Sequence, residues 1–70
     1  MYKYEIIIFW SDEDNAFIAE VPELSGCVAH GKTDNEALQN INDAIRLWIK
    51  TAEEFGDPIR KPKGRKLSFA

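Results

Sequence analysis

The chain has 70 residues, of which 12 are acidic, nine are basic and one is a cysteine. A domain of this size buries only about 60% of its unfolded surface, so its core is marginal and we expect an oligomer. The lone Cys27 cannot form an internal disulfide, and the apolar run at residues 6–10 is too short for a signal peptide or membrane span. These features predict a cytoplasmic protein with no membrane association.

Charge divides the chain into two parts. Residues 1–56 carry four basic and eleven acidic side chains, a net charge of −7, whereas residues 57–70 carry a net charge of +4. We therefore predict a core domain over residues 1–56 and a basic tail over residues 57–70. Because phosphate contacts need cations, the acidic core argues against a nucleic-acid surface and suits a basic partner.

Three short segments are predicted to be strands. Residues 2–10 (YKYEIIIFW) and 16–21 (AFIAEV) are rich in aromatic and β-branched side chains and flank a polar turn at residues 11–15, which is typical of a hairpin. Residues 27–30 (CVAH) give a third strand. Both faces of this sheet carry apolar side chains, so one face can take a helix and the other needs further cover.

The helix has clear start and stop signals. Thr33 is the predicted N-cap and Glu36 completes a capping box, while Gly56 and Pro58 end a helix over residues 34–55. Its apolar positions form one stripe, and Leu47 lies outside that stripe. The final residues 66–70 (KLSFA) can add a short edge strand. The expected fold is α+β, with a three- to four-stranded antiparallel sheet, one helix on one face and the order β-β-β-α-(β).

No catalytic, cofactor or metal site is predicted, and we expect no enzyme. Cys27 and His30 are three residues apart in a strand and so point to opposite faces. The acidic run at residues 12–14 lacks the spacing of a calcium loop, and Gly26 and Gly31 lack the spacing of a phosphate-binding loop. These glycines are instead assigned to turns beside the third strand.

The basic tail and the exposed Leu47 are further candidates for contact with a partner. The tail cations either contact nucleic acid or protect an edge strand and neutralise the acidic core. Leu47, beside Ala44 and Thr51, is a candidate partner contact. From charge and exposure, the predicted partner-binding residues are Asp12, Glu13, Asp14, Glu23 and Leu47.

The segment VPELSGC, followed by G-K-T and E-A, resembles the HicB-like antitoxin family. Supporting fragments are AIRLWI at residues 44–49 and GDPI at residues 56–59, so the likeness covers nearly the whole chain. The matching positions are expected to be structural, and the signature comprises Pro22, Gly26, Cys27, Gly31, Thr33, Glu36 and Ala37.

This resemblance implies a partial RNase H-like fold without working catalytic carboxylates. It also implies an antitoxin that neutralises a HicA-type toxin, a small basic mRNA-cleaving ribonuclease. We further expect a homodimer, formed through the sheet face or edge that the helix leaves uncovered. Lys32 and His30 depart from the family pattern, and residues 57–70 show no helical DNA-binding segment, so control of its own operon is not expected. Alternative hypotheses are a nucleic-acid-binding protein that uses the tail, or an orphan dimeric module without a toxin.

Overall fold

A computed structural model of the chain describes residues 3–65. Three strands form one sheet in the order β1-β2-β3, with both pairs antiparallel, and one helix follows them. This arrangement confirms the α+β class and the order β-β-β-α. The possible fourth strand at residues 66–70 lies outside the described residues. The elements are β1 (Ile7–Ser11), β2 (Ala16–Glu20), β3 (Val28–Gly31) and α1 (Asp34–Phe55).

The first strand runs from Ile7 to Ser11, whereas the sequence predicted a strand over residues 2–10. Residue 2 lies outside the described residues. Ile7 pairs with Glu20, and the same register places Glu5 opposite Pro22. Proline has no backbone N–H, so this next pair cannot complete its ladder bonds. The Glu5 N–H instead donates to a side-chain oxygen of Glu23 at 3.3 Å. The second and third strands differ from the predicted ranges by a single residue at their ends.

The β1–β2 turn is closed by its own polar side chains. Ser11 pairs with Ala16, which leaves a four-residue turn. This register determines which side chains of the two strands project from the same face of the sheet. The Ser11 hydroxyl donates to an Asp14 carboxylate oxygen at 2.9 Å and accepts from the Asp14 N–H. Asn15 has a φ of 50°, a left-handed conformation that asparagine tolerates better than most residues.

The β2–β3 connection is compact because it bonds to itself and buries a leucine. The Val21 N–H donates to the Cys27 carbonyl at 3.1 Å, and the Cys27 N–H donates to the Leu24 carbonyl at 3.0 Å. Leu24 is one of the largest fully buried side chains. Gly26 has a φ of 78°, which a residue without a Cβ adopts most readily.

The core lies between the sheet and one face of α1. Ala19 at the centre of β2 is fully buried, as are Ile41 and Ile45 of the helix. The small side chains of Ala19 and Ala29, which pair across β2 and β3, let the helix approach the sheet closely. The remaining members of the buried cluster are Tyr4, Val21, Leu24, Cys27 and Ala37.

Both ends of α1 are capped. The Thr33 hydroxyl accepts the Glu36 N–H at 3.0 Å, and the Glu36 side chain accepts the Lys32 N–H rather than that of the N-cap residue. At the other end Gly56 is left-handed, with a φ of 69°, and its N–H bonds back to the last turn. The helix therefore spans the predicted residues 34–55.

Thr33→Ala should lower the free energy of unfolding by about 1 kcal/mol, because it removes the acceptor for the Glu36 N–H. Thr51→Ala is the matched control, since Thr51 is exposed within the helix and alanine has the higher helix propensity. Urea denaturation of both variants measures the difference. Equal stability of the two variants would contradict the cap.

Candidate partner-binding surface

The predicted partner-binding residues occupy three separate places. Asp12, Glu13 and Asp14 lie in the exposed β1–β2 turn, at one end of the sheet. Asp12 accepts a hydrogen bond from the indole N–H of Trp10 at 2.8 Å. Glu23 lies in the connection at the opposite end of the sheet, and Leu47 lies on the helix. The fold does not bring these residues into one site.

The basic tail passes the acidic end of the sheet that contains Glu23. The Lys63 N–H donates to a Glu23 carboxylate oxygen at 3.0 Å, and the Arg65 guanidinium donates to Glu5 at 2.8 Å. The Tyr4 hydroxyl donates to the Arg60 carbonyl. These contacts place part of the tail against the acidic core, and the Arg65–Glu5 ion pair supports the interpretation that the tail neutralises that core.

Leu47 borders a cleft between the start of β3 and the second half of α1. The cleft has a volume of about 520 Å³ and a largely apolar lining. The Trp48 indole N–H donates to the Ser25 carbonyl at 2.9 Å, which fixes the ring against the β2–β3 connection. The lining includes Cys27, Val28, Leu47, Trp48, Thr51 and Pro58.

The sheet face opposite the helix is apolar and exposed. The half-buried Glu20 lies on β2 between Ile7 and Val28. Four apolar side chains project from this face: Ile7, Phe9 and Val28, which are exposed, and Ile18, which lies on β2 between Phe9 and His30. We call these four residues the open face. His30 lies beside it on β3 and is exposed.

Cys27 and His30 do not form a pair. Cys27 is 3% exposed and lies on the helix side of the sheet, whereas the exposed His30 lies on the open side. Burial raises the pKa of the Cys27 thiol above its ordinary value of 9.0. Among residues 3–65, no three His, Cys, Asp or Glu side chains are grouped to hold a metal ion.

We expect iodoacetamide at pH 8 to modify Cys27 at least about tenfold more slowly in the folded protein than in urea, because burial disfavours the thiolate.

The raised pKa of the Cys27 thiol also predicts a loss of stability at alkaline pH. Above about pH 9 the unfolded chain loses its thiol proton first, so the free energy of unfolding falls until the folded-state pKa is passed. Cys27→Ala should remove this part of the decline, and denaturation from pH 7 to 11 measures it. An identical decline in both proteins would contradict it.

Comparison with known proteins assigns a family to this arrangement. The sequence profile described as "HicB_like antitoxin of bacterial toxin-antitoxin system" matches residues 4–67. The chain belongs to this HicB-like antitoxin family. Membership supports an antitoxin role and confirms the family predicted from the signature.

The relatives of this HicB-like protein are small proteins named UPF0150. One from Thermoplasma acidophilum is 38% identical over 66 residues, which cover 94% of each chain. One from Synechocystis is 40% identical over 57 residues, covering 81% of this chain and 77% of the relative. No solved structure gives a significant match. Within the described residues, no helix has the length and apolar character needed to cross a membrane.

In this HicB-like protein the signature residues surround the β2–β3 connection and the start of α1. Gly31 is buried where the helix begins, and a Cβ built on it would lie 2.5 Å from the Ala37 nitrogen. Thr33 and Glu36 make the cap bonds described above. Pro22 opens the connection and Gly26 turns it toward the buried Cys27. The geometry gives these positions roles in backbone placement and packing.

Proposed function

We propose that this protein is a non-catalytic antitoxin module that neutralises a small basic HicA-type mRNA-cleaving toxin by direct protein contact. The match of residues 4–67 to the HicB-like antitoxin profile carries this proposal. The proposed place of action is the cytoplasm, where a lone buried thiol such as Cys27 stays reduced.

The negative charge of the core supports the proposal that the partner is a basic protein. The core has a net charge of −7, and the turn at residues 12–14 presents three carboxylates to solvent. A ribonuclease needs a cationic surface to hold RNA, and an acidic protein that covers this surface competes with the RNA phosphates. Complementary charge also accelerates association at low salt.

A second copy of the chain is the proposed cover for the open face. Ile7, Phe9 and Val28 are exposed on one side of a sheet, and two such faces can pack about 10 Å apart with interdigitated side chains. Phe9→Lys should then shift the protein from dimer to monomer in sedimentation equilibrium. A monomeric wild type would contradict the dimer without affecting the antitoxin proposal.

The antitoxin proposal is tested by mixing the purified protein with each HicA-type toxin of its source organism. We expect one toxin to form a complex and to lose its RNA cleavage at equimolar protein. The affinity should fall as salt rises from 50 to about 200 mM. Failure to bind or inhibit any of these toxins would overturn the proposal.

A variant with Asp12, Glu13 and Asp14 changed to lysine tests the charge argument separately. It should bind the toxin more weakly and with a smaller salt dependence, since three attractive charges become repulsive. Circular dichroism checks that the variant is folded. Unchanged affinity would exclude the acidic turn from the interface while leaving the antitoxin proposal in place.

A further inference from the structure

The outer edge of β3 presents backbone N–H and C=O groups that form no hydrogen bond with β2. Hydrogen-bonded and non-bonded positions alternate along antiparallel strands, and the bond from Val21 to Cys27 fixes the phase of that alternation. Ala29 and Gly31 therefore bond toward β2, whereas the N–H groups of Val28 and His30 point away from it. The His30 carbonyl confirms this direction, because it accepts the Asn40 side-chain amide of the helix at 2.8 Å.

The exposed edge and the cleft are contiguous. Val28 belongs to both, and it is 54% exposed although it lies in a strand. Leu47, on the helix side of the same cleft, is 66% exposed. Side chains alternate between the two faces of a strand, so a strand added beside Val28 would point one side chain into the cleft and the next toward the open face. A sheet edge beside an apolar groove is the arrangement that binds extended peptides.

The two outer strands of the sheet differ in their surroundings. Near the start of β1, Glu5 is bonded to Arg65 and the Tyr4 hydroxyl to the Arg60 backbone, so the tail lies beside that end. Among residues 3–65, the only hydrogen bond to the β3 edge from outside the sheet comes from the Asn40 side-chain amide. The edge at β3 is therefore the better site for an incoming strand.

The acidic side chains near the cleft favour an incoming segment that carries a cation. Asp57 lines the cleft, and within the described part of the chain its carboxylate makes no hydrogen bond or ion pair. Glu54 lies seven residues after Leu47, two helical turns along nearly the same face, and is exposed. Asp57 thus borders the apolar lining, and Glu54 lies beyond Leu47 toward the end of α1. This pattern suits a segment with an apolar side chain and, two residues along on the same face, a cation.

We propose that this cleft and the β3 edge receive an extended segment of the toxin, which adds to the sheet as a strand beside Val28. One apolar side chain of that segment enters the cleft against Leu47 and Trp48, and a Lys or Arg two residues away, on the same face of the added strand, pairs with Asp57. The proposal rests on the proposed function and names the surface that performs it. It joins Leu47, predicted as a partner contact from its exposure, to the edge of β3, which the fold places beside the same cleft.

Amide hydrogen exchange measures the added strand directly. The probe is the HicA-type toxin that forms a complex in the preceding experiment, used in a catalytically inactive form. The outward N–H groups of Val28 and His30 should exchange fast in the free protein, and at least one should slow by about tenfold or more in the complex. The Ala29 N–H points toward β2, so it serves as the internal control for global stabilisation.

Two variants test the edge and the cleft separately. Val28→Pro removes an outward donor while leaving every bond to β2, and edge strands tolerate proline. Leu47→Lys places a cation in the cleft, where it repels the incoming cation. Each should weaken toxin binding by about tenfold or more. Leu38→Lys is the matched control, because it makes the same change on the opposite side of the same helix.

The outcomes separate this inference from the proposed function. Normal toxin binding by both variants, with unprotected edge amides, overturns the strand while the antitoxin role stands. If the wild type binds no toxin, the proposed function fails and the strand fails with it. If Leu47→Lys converts a dimer into monomers and leaves toxin affinity unchanged, a second copy occupies the cleft and the proposal is overturned.

Discussion

Gly31→Ala is expected to lower the free energy of unfolding by about 3 kcal/mol, the upper end of the usual cost of overpacking. A Cβ at this position would lie 2.5 Å from the Ala37 nitrogen and 2.9 Å from the Glu36 carbonyl carbon. Both are backbone atoms in the first turn of α1, so no side-chain rotation relieves the contact. The helix would have to move away from the sheet, which separates Ala37 and Ile41 from Ala19 in the core.

Gly26→Ala is the control for this prediction, because it makes the same chemical change for a different physical reason. An added Cβ at Gly26 meets nothing within 4 Å, but its φ of 78° is unfavourable for alanine by about 1–2 kcal/mol. Urea denaturation should therefore rank the proteins as wild type, Gly26→Ala and Gly31→Ala in decreasing stability. A Gly31→Ala protein as stable as the Gly26→Ala protein would show that the helix is not held against β3.

Ile41→Ala should cost about 2–5 kcal/mol, since it deletes a fully buried side chain from the centre of the helix–sheet interface. Total stability of a small domain is about 5–15 kcal/mol, so this single change removes a large fraction of it. The thermal midpoint should fall by about 4–8 °C for each kcal/mol lost. Differential scanning calorimetry measures both quantities.

Leu47→Ala is the control on the same helix. Its side chain is mostly exposed, so the free energy of unfolding should change by no more than about 0.5 kcal/mol. Six residues separate the two positions on the same helix. A loss of stability at Leu47 comparable with that at Ile41 would mean that the leucine is buried in solution, in a dimer or another assembly.

The helix could be predicted closely from the sequence because its signals are local. Thr33 and Glu36 mark its start, and Gly56 followed by Pro58 marks its end, all within a few residues of the boundaries they set. The strands were less well defined. The start of β1 depends on Pro22, a residue 15 positions away that faces Glu5 across the sheet, and that pairing appears only once the register is known.

The candidate site could be predicted only in part, because it is assembled from distant segments. The exposure of Leu47 follows from its position outside the apolar stripe of the helix. The cleft also needs Val28 and Pro58, which the fold brings beside Leu47 from either side of it in the chain. The Lys63 N–H donates to Glu23, which lies 40 residues earlier in the chain. No sequence pattern near either residue indicates this contact.

The order of the strands has a consequence for synthesis on the ribosome. Each strand pairs with its neighbour in the chain, so the sheet can begin to form in the order in which it is made. A three-stranded sheet gains independent stability only when its apolar face is covered, and here the cover is the last element of the core. Ile41 and Ile45 must therefore leave the exit tunnel before Ala19 is shielded from water. Until then the nascent chain exposes apolar side chains on both faces of the sheet, the kind of surface that makes partly folded chains prone to aggregation.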